Sequence, residues 1–469
     1  MIAFVSLFTI GLCCAGPASS DDDTRQEWHY QTPKGLRRIV NDGNGMWSLN
    51  FPNGTTAALK EVSRTDKYIE LQNVQNKNVQ RLFEQEGQLQ PKGVGPFRKF
   101  ADGMWVKPAP AADDYKVQLV YFVPSDRKPC RDYEKRIRMI AGLVGEIMTD
   151  DLRSKGLVTD GPQFVENENG ELAVTLLNGE KSARAYNHLP TTKSPEHSKA
   201  VFAEVDRRLN TSSASNIVVI FSETYEEGPS TQVWPGHLGV ALARPPKAGI
   251  CMFSSWILRD EFSAGSVSEL RKLFFDTQPV RGRSAIGHKG PNSPRNEFLE
   301  DGIGGLLHEL AHTFGPTHDL GKATNIMGHG FRDLRWNVGV KSNRRKKAAF
   351  SRDTASIMMA SRFLNSKVDR SDNTRPTARM SFQKDGKNAV AVLTVADDRA
   401  LNLVALVEVT KTQGRQLIAL RRLSGKSETV RIKLNARNVT TGPNARLQAI
   451  LIDGGGNYRK VNGSLSGLR

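Results

Sequence analysis

Gly305-Leu306-Leu307-His308-Glu309-Leu310-Ala311-His312-Thr313-Phe314-Gly315-Pro316-Thr317-His318-Asp319 is the stretch on which the reading of this 469-residue chain turns. His308 and His312 are four residues apart, so on a helix their imidazoles leave from one face and can grip one ion. Ile303, Leu307, Leu310, Ala311 and Phe314 give that helix apolar surface to bury. Glu309 is rotated about 100° from His308 on a 3.6-residue helix. It therefore reaches a metal-bound water without ligating the metal. A straight helix cannot present a third ligand from the required direction. Gly315 resolves this, because it tolerates positive φ, ends the helix and turns the chain sharply. His318 then returns three residues later. Three imidazoles with an open fourth position define a catalytic zinc site, and Zn2+ is the expected cofactor. Neutral ligands leave the full ionic charge on the metal, which lowers the pKa of its water to about 7. Glu309 is expected to take the proton from that water and pass it to the leaving amine.

The spacing from His308 to His318 resembles the metzincin clan of zinc endopeptidases, in its secreted bacterial form. Asn325-Ile326-Met327-Gly328 adds to the resemblance, because Met327 falls nine residues after His318, where the clan has a methionine turn beneath the metal. The close match covers about 25 residues and matches an extended catalytic motif rather than the bare five-residue one. It implies that Met327 packs below the metal without coordinating it, with Gly315 as the supporting turn residue. It also implies an edge strand that pairs with extended substrate, for which His237 to Ala243 is the candidate. His329 lies two residues beyond Met327, where the astacin and serralysin branches carry a tyrosine. Two readings stay open there: a hydrogen-bond donor to the reaction's oxyanion, or a cap on the turn made with Gly328 and Gly330. Asp319 is open between orienting His318, a local salt bridge and a plain loop carboxylate. Metzincins are often held inactive by a Cys or Asp from a pro-segment. No cysteine lies between the leader and the linker, and Phe100-Ala101-Asp102-Gly103 resembles an aspartate switch, with a plain β-turn as the rival reading.

Outward from the motif, the chain changes character three times. Met1 to Cys14 is almost wholly apolar and is followed by the small residues Ala15, Gly16, Ala18 and Ser19. That run is too short to span a bilayer, so residues 1–20 read as a cleaved secretory signal and the protein as secreted, extracellular or periplasmic, with no membrane span. Residues 24–110 alternate short apolar-aromatic stretches with Gly and Asn turns, which predicts a small β-rich module. Lys107 to Asp114 reads as a linker. Val117 to Val123 and Asn216 to Phe221 are continuous apolar runs of buried-strand type, while Ile137, Ile140, Val144, Ile147 and Met148 have helical spacing. Ala200 to Leu209 supports a second helix, and Ile250 to Phe253 a further strand. These place an α+β zincin-like catalytic domain, a mixed sheet carrying the active-site helix, at 113–370. From 371 to 469 helical periodicity gives way to regular short β runs, which predict a β-sandwich. Its end, Ala449-Ile450-Leu451-Ile452-Asp453-Gly454-Gly455-Gly456-Asn457, resembles bacterial immunoglobulin-like or fibronectin-like modules.

The formal charge of +17 predicts attraction to polyanions. The densest basic run, Arg344 to Lys347, has no aromatic-rich or zinc-knuckle module beside it. A solvated basic face is thus the default, with no specific nucleic-acid partner. Compatible partners are a protein or peptide substrate and anionic cell-wall or matrix polymers. His29, His188, His197, His237 and His288 lack ligand spacing and read as structural or surface. Cys130 and Cys251 are either one bridge or two unpaired buried thiols. The function these features predict is a secreted zinc endopeptidase. The alternatives are a zinc hydrolase of a non-peptide amide and a catalytically inert, adhesin-like binding protein.

Overall fold

This computed structural model describes residues 25–465 apart from 26, 34, 44, 52–54, 66, 85, 107–114, 187–194, 210, 212–215, 226–238, 286–290, 339–346, 387, 411–413, 435–438 and 440–445. The leader at 1–20, the linker Lys107 to Asp114, His188, His237, His288, Arg344, Arg345, Lys346 and the side chain of His197 therefore lie outside the described residues. The chain divides into two compact units, residues 1–111 and 112–469.

In the first unit, eight strands close into an antiparallel barrel: β1 (Glu27–Thr32), β2 (Gly35–Gly43), β3 (Met46–Asn50), β4 (Thr56–Arg64), β5 (Ile69–Asn73), β6 (Val79–Leu82), β7 (Glu86–Gln90) and β8 (Arg98–Val106). Each strand pairs with the next, and β1 closes on β8 with Trp28 opposite Trp105. The alternation seen in the sequence fills the inside: Trp28, Ile39, Trp47, Leu59, Ile69, Leu71 and Leu82 are buried. Closure removes the exposed edges that a short open sheet would present. Phe100 to Gly103 lie within β8 rather than in a turn, and Asp102 is exposed and paired with Lys99.

The second unit begins with a five-stranded sheet of order β10 (Val174–Asn178), β9 (Lys116–Val123), β11 (Asn216–Ser222), β13 (Ala248–Ser254) and β12 (Gly239–Arg244). The first four are parallel, and β12 runs antiparallel to β13 at the sheet's edge. β11 and β13 are buried almost end to end, which is why they read as unbroken apolar runs. The helix Tyr133–Ser154 buries Ile137, Ile140, Val144, Ile147 and Met148 in the same core. Beyond residue 371 come a three-stranded sheet, β14 (Thr377–Asp385), β15 (Asn388–Ala396) and β18 (Ser427–Leu434), and a four-stranded one. The latter has the order β17 (Gly414–Arg422), β16 (Leu401–Thr410), β19 (Arg446–Asp453) and β20 (Tyr458–Ser464). No helix among the described residues is long and apolar enough to cross a membrane.

The fold class expected from the sequence needs correction. An α+β zincin-like catalytic domain flanked by separate β modules is not what the chain forms. Its described residues are mostly β, a closed eight-stranded barrel plus three further sheets, and the C-terminal sheets belong to the same compact unit as the five-stranded one. The physical reason is the packing of the helix Arg352–Met359. Its Ile357, with Ala360 just beyond it, joins Leu403, Ala405, Val407, Ile450, Ile452 and Tyr458 in one apolar cluster. Periodicity identifies the apolar face of each element but not which distant element covers it. Cys130 and Cys251 are both unpaired, and Cys251 is buried within β13.

The helix Gly305–Thr313 packs on β12 and β13. Its approach to β13 depends on Gly249, where a Cβ would lie 2.8 Å from Thr313 Cβ and 3.2 Å from the Thr313 carbonyl oxygen. Gly249→Val is expected to overpack this contact and lower the stability of the 112–469 unit by about 1–3 kcal/mol. The loss would be read as a lower urea midpoint. An unchanged midpoint would mean that helix and sheet tolerate separation here.

Candidate metal centre

The site is built on the C-terminal end of one helical run. The segment Arg295–Leu299 continues through a π-helical turn, Glu300–Gly304, into the helix Gly305–Thr313 without leaving helical φ and ψ. Such π turns widen a helix locally and recur at functional sites. The last turn ends with Phe314 N–H donating to the Ala311 carbonyl and Gly315 N–H to that of His312. Gly315 then takes φ +111°, with the Tyr458 hydroxyl packed where a Cβ would be. The turn forecast from the sequence is present, and its tightness comes from Tyr458 as much as from the backbone.

Past this turn His318 comes back beside His308 and His312. The ring centroids are 4.7 Å apart for His308 and His312, 4.9 Å for His312 and His318, and 5.4 Å for His308 and His318. One ring nitrogen from each lies within 4.8 Å of the others. Two of the rings have their outer nitrogens fixed. His308 Nδ1 is 2.7 Å from the Ile326 carbonyl oxygen, and His312 Nδ1 is 2.9 Å from that of Pro316. A carbonyl only accepts, so each Nδ1 carries the proton and each Nε2 presents a lone pair.

Those two Nε2 atoms face each other at 3.1 Å. Lone pairs at that distance repel unless a cation or proton sits between them. Burial makes protonation costly: it pushes the His308 imidazole down to about 4, and it holds His312 well below its ordinary value, with His308 and His318 adding to the effect. Two nitrogens that share a tetrahedral zinc at ~2.05 Å are about 3.3 Å apart, so the spacing fits a metal. A borderline-soft ion with imidazole affinity is what this donor set selects.

The turn at residues 325–328 braces this cluster from two sides. Ile326 supplies the carbonyl held by His308, and Asp319 N–H donates to the Met327 carbonyl at 3.0 Å. The turn itself is closed by Met327 N–H on Asn325 Oδ1 and Gly328 N–H on the Asn325 carbonyl. Met327 is fully buried. The Asp319 carboxylate accepts from Gly321 N–H within its own loop and from the Thr354 hydroxyl of the helix Arg352–Met359, so it ties that loop to the helix. His329 is exposed, with Nδ1 3.4 Å from an Arg332 guanidinium nitrogen, and lies outside the cavity lining. It is close enough to His308 to act on it electrostatically, and the oxyanion reading stays an expectation. The capping reading has no geometric support, because the side chain makes no cap bond to the helical turn Gly330–Asp333 that follows.

Glu309 faces a cavity of ≈ 540 Å³ together with His312 and His318. Burial pushes its carboxyl up to about 8. One wall is the edge strand β12, from Gly239 to Ala243, which is the strand expected to receive extended substrate. The opposite wall went unread in the sequence. It comes from the C-terminal sheet: Val409, Arg415, Ile450, Tyr458 and Lys460. That sheet also holds the third histidine, since Leu417 N–H donates to the His318 carbonyl at 2.9 Å. No local pattern marks these residues, which lie about 100 to 150 positions from the motif they serve. His29, in β1 of the barrel, pairs with Glu27.

The buried imidazoles set a pH dependence for the metal-free protein. The unfolded chain binds protons near the ordinary imidazole value of about 6.5, while folded His308 does so near about 4. Between these values the unfolded state holds more protons, so stability is full above the upper value and falls as pH drops toward the lower one. Urea midpoints of the metal-free chain should fall more steeply from pH 7 to 4.5 than those of His308→Gln. Equal slopes would show that His308 is not held neutral by burial.

No known family model matches the sequence, and no curated protein does either. Among solved structures the chain is similar to OgpA from Akkermansia muciniphila. The catalytically inactive form, in complex with an O-glycopeptide (glycodrosocin) substrate, shares 12% identity at a TM-score of 0.50, over 74% of this chain and 92% of that one. A structure of wild-type OgpA gives 13% identity, the same TM-score and the same coverage. At this level of identity the likeness shows a shared fold and nothing finer.

Proposed function

We propose that the chain is a zinc-dependent endopeptidase whose metal is held by His308, His312 and His318 and whose general base is Glu309. The observation that carries the reading is that His308, buried, and His312, half-buried, present Nε2 lone pairs to each other, while the Glu309 carboxyl lines the same cavity as His312 and His318. When bound, zinc supplies Lewis acidity, which acidifies water and polarises a carbonyl. The residues do the rest. The Ile326 and Pro316 carbonyls fix the imidazole tautomers and orientations, which is how outer partners tune a metal site. Glu309, one residue along the helix from His308, receives a proton from the attacking water and returns it to the leaving amine. Among the described residues no strand pairs with the outer edge of β12, which is where a peptide lying along the cavity would add. The metzincin-like spacing supports the same reading, independently of the fold.

Peptide substrates are favoured over small amides because an open edge strand serves an extended backbone. The O-glycopeptide held by the OgpA neighbour makes glycopeptides the first class to assay beside plain peptides. Arg415 and Lys460 place two cations on the C-terminal wall, so an acidic group near the scissile bond should be preferred. An export signal in the first twenty residues would place the enzyme outside the cytoplasm.

Glu309→Gln should abolish turnover of peptide and glycopeptide substrates, with a loss on the order of 10²–10⁴, while zinc content stays at that of the unmodified protein. Near-normal turnover in a zinc-replete Glu309→Gln would sink the mechanism. Lys460→Glu should raise KM for acidic peptides while kcat changes little. An equal effect on neutral and acidic peptides would remove Lys460 from substrate recognition.

A further inference from the structure

A second cluster of potential ligands lies in the C-terminal part of the 112–469 unit. Asp372 precedes β14, Asp397 begins the connection from β15 to β16, and Asp453 ends β19. One carboxylate oxygen from each lies within 4.8 Å of the other two. The arrangement is built by backbone amides. Asp372 Oδ1 accepts from Thr374 N–H at 3.0 Å, Asp397 Oδ1 from Arg399 and Ala400 N–H at 2.9 and 2.8 Å, and Asp453 Oδ1 from Asn457 N–H at 2.8 Å.

With each Oδ1 engaged, each Oδ2 is buried and has no hydrogen-bond partner. Asp372 is 1% exposed and Asp453 0%. A buried, unsatisfied carboxylate oxygen is costly on its own, and three together repel. No described Lys or Arg forms an ion pair with any of the three. Arg362, buried close by, donates instead to the carbonyls of Gly455 and Asp372 and to the Tyr115 hydroxyl. Arg399 is engaged by Asp369 and Ser371. Burial, with Asp372 and Asp397 adding like charge, pushes the Asp453 carboxyl up to about 6.

We propose that Asp372, Asp397 and Asp453 bind a calcium ion that ties together the three connections from which they come. The donor set is all oxygen and anionic, which selects a hard cation over zinc or copper. Three protein carboxylates suit calcium, which takes six to eight oxygens in flexible geometry, better than magnesium, which keeps most of its water. The ion would replace mutual repulsion by attraction at a point where the segment after the Arg352–Met359 helix meets the ends of β15 and β19. It is distinct from the imidazole site in ligand chemistry and in sequence, and it stands or falls without it.

The test uses the full chain loaded with zinc, titrated with calcium chloride by calorimetry and melted with and without calcium. One calcium per chain is expected, with Kd in the ~10⁻⁴–10⁻³ M range or tighter, and a melting temperature that rises with calcium. Asp397→Asn, in a partly exposed turn, should weaken binding at least about tenfold and remove the calcium-dependent rise. Asp453→Asn should do the same, and either variant suffices if the other fails to fold. No binding to the unmodified protein at ~10 mM calcium would overturn the proposal. So would a calcium response retained in a folded Asp397→Asn or Asp453→Asn.

Discussion

The turn at Gly315 is the constraint on which the second unit depends. A residue at φ +111° with a tyrosine hydroxyl at its Cβ position has no room for a side chain. The chain therefore reverses within a single residue, and His318 arrives next to two imidazoles that the helix has already aligned. The same reversal carries His318 and Asp319 against two different partners. Leu417 of β17 donates to the carbonyl of His318, and Asp319 donates to that of Met327. Tyr458 bonds the Phe314 carbonyl from the other side at 3.3 Å. Three contacts converge here to hold one loop, two of them from strands far along the chain and one from the neighbouring Met327.

Gathering a buried imidazole, a half-buried one and a half-buried carboxyl in one place carries a cost that the rest of the unit offsets. Each histidine gives its Nδ1 proton to a backbone carbonyl, so neither ring is left with an unsatisfied donor. What remains unsatisfied is the inward pair of lone pairs, and a cation answers that need better than water does. This is pre-organisation in its ordinary form: the polar groups are oriented during folding, and the binding step no longer has to order them. The π-helical turn at Glu300–Gly304 lies directly upstream, fully buried, with Glu300 and Asp301 engaging Arg335 and Arg332. The helix that carries His308 and His312 is thereby anchored at the end away from the cavity.

The sequence made the local half of this arrangement legible. A four-residue spacing on a helix, a glycine at its end and a histidine three residues later are all fixed by backbone geometry, and they are found where that geometry puts them. The buried strands β9, β11 and β13 and the helix Tyr133–Ser154 were equally readable, because their apolar periods are long. Pairings across distance were not readable. Closure of the barrel rests on β1 meeting β8 over some seventy residues, and the pattern of either strand is the same in an open sheet. The expected α+β catalytic domain failed for a related reason. Apolar runs in 401–452 announced strands but carried no sign that those strands share a core with the Arg352–Met359 helix. The imidazole at His329 is a case that sequence spacing leaves open. Its offset from Met327 suggests either a donor or a cap, and its ring is exposed beside Arg332, within electrostatic reach of His308.

The aspartate cluster and the imidazole cluster are linked by a short stretch of chain. Asp453 accepts from Asn457 N–H, Asn457 donates its side-chain amide to the Asp372 carbonyl, and the next residue is Tyr458, which closes on Gly315. A tight Gly454-Gly455-Gly456 turn spans the gap, with Gly454 N–H donating to the Ala400 carbonyl and its own carbonyl accepting from Asp369 N–H. Any interaction that fixes Asp453 therefore limits where β20 can start, and with it where the Tyr458 ring can stand. The ring sits against the one residue whose conformation returns His318 to the site. Asp453 and Tyr458 stand at the same end of the four-stranded sheet, either side of the β19–β20 turn, where Ile452 is paired with Tyr458. The C-terminal sheet thus has a part in the proposed site that a detached module would not have: it positions His318 and part of the cavity that Glu309 lines, while the helix positions His308 and His312.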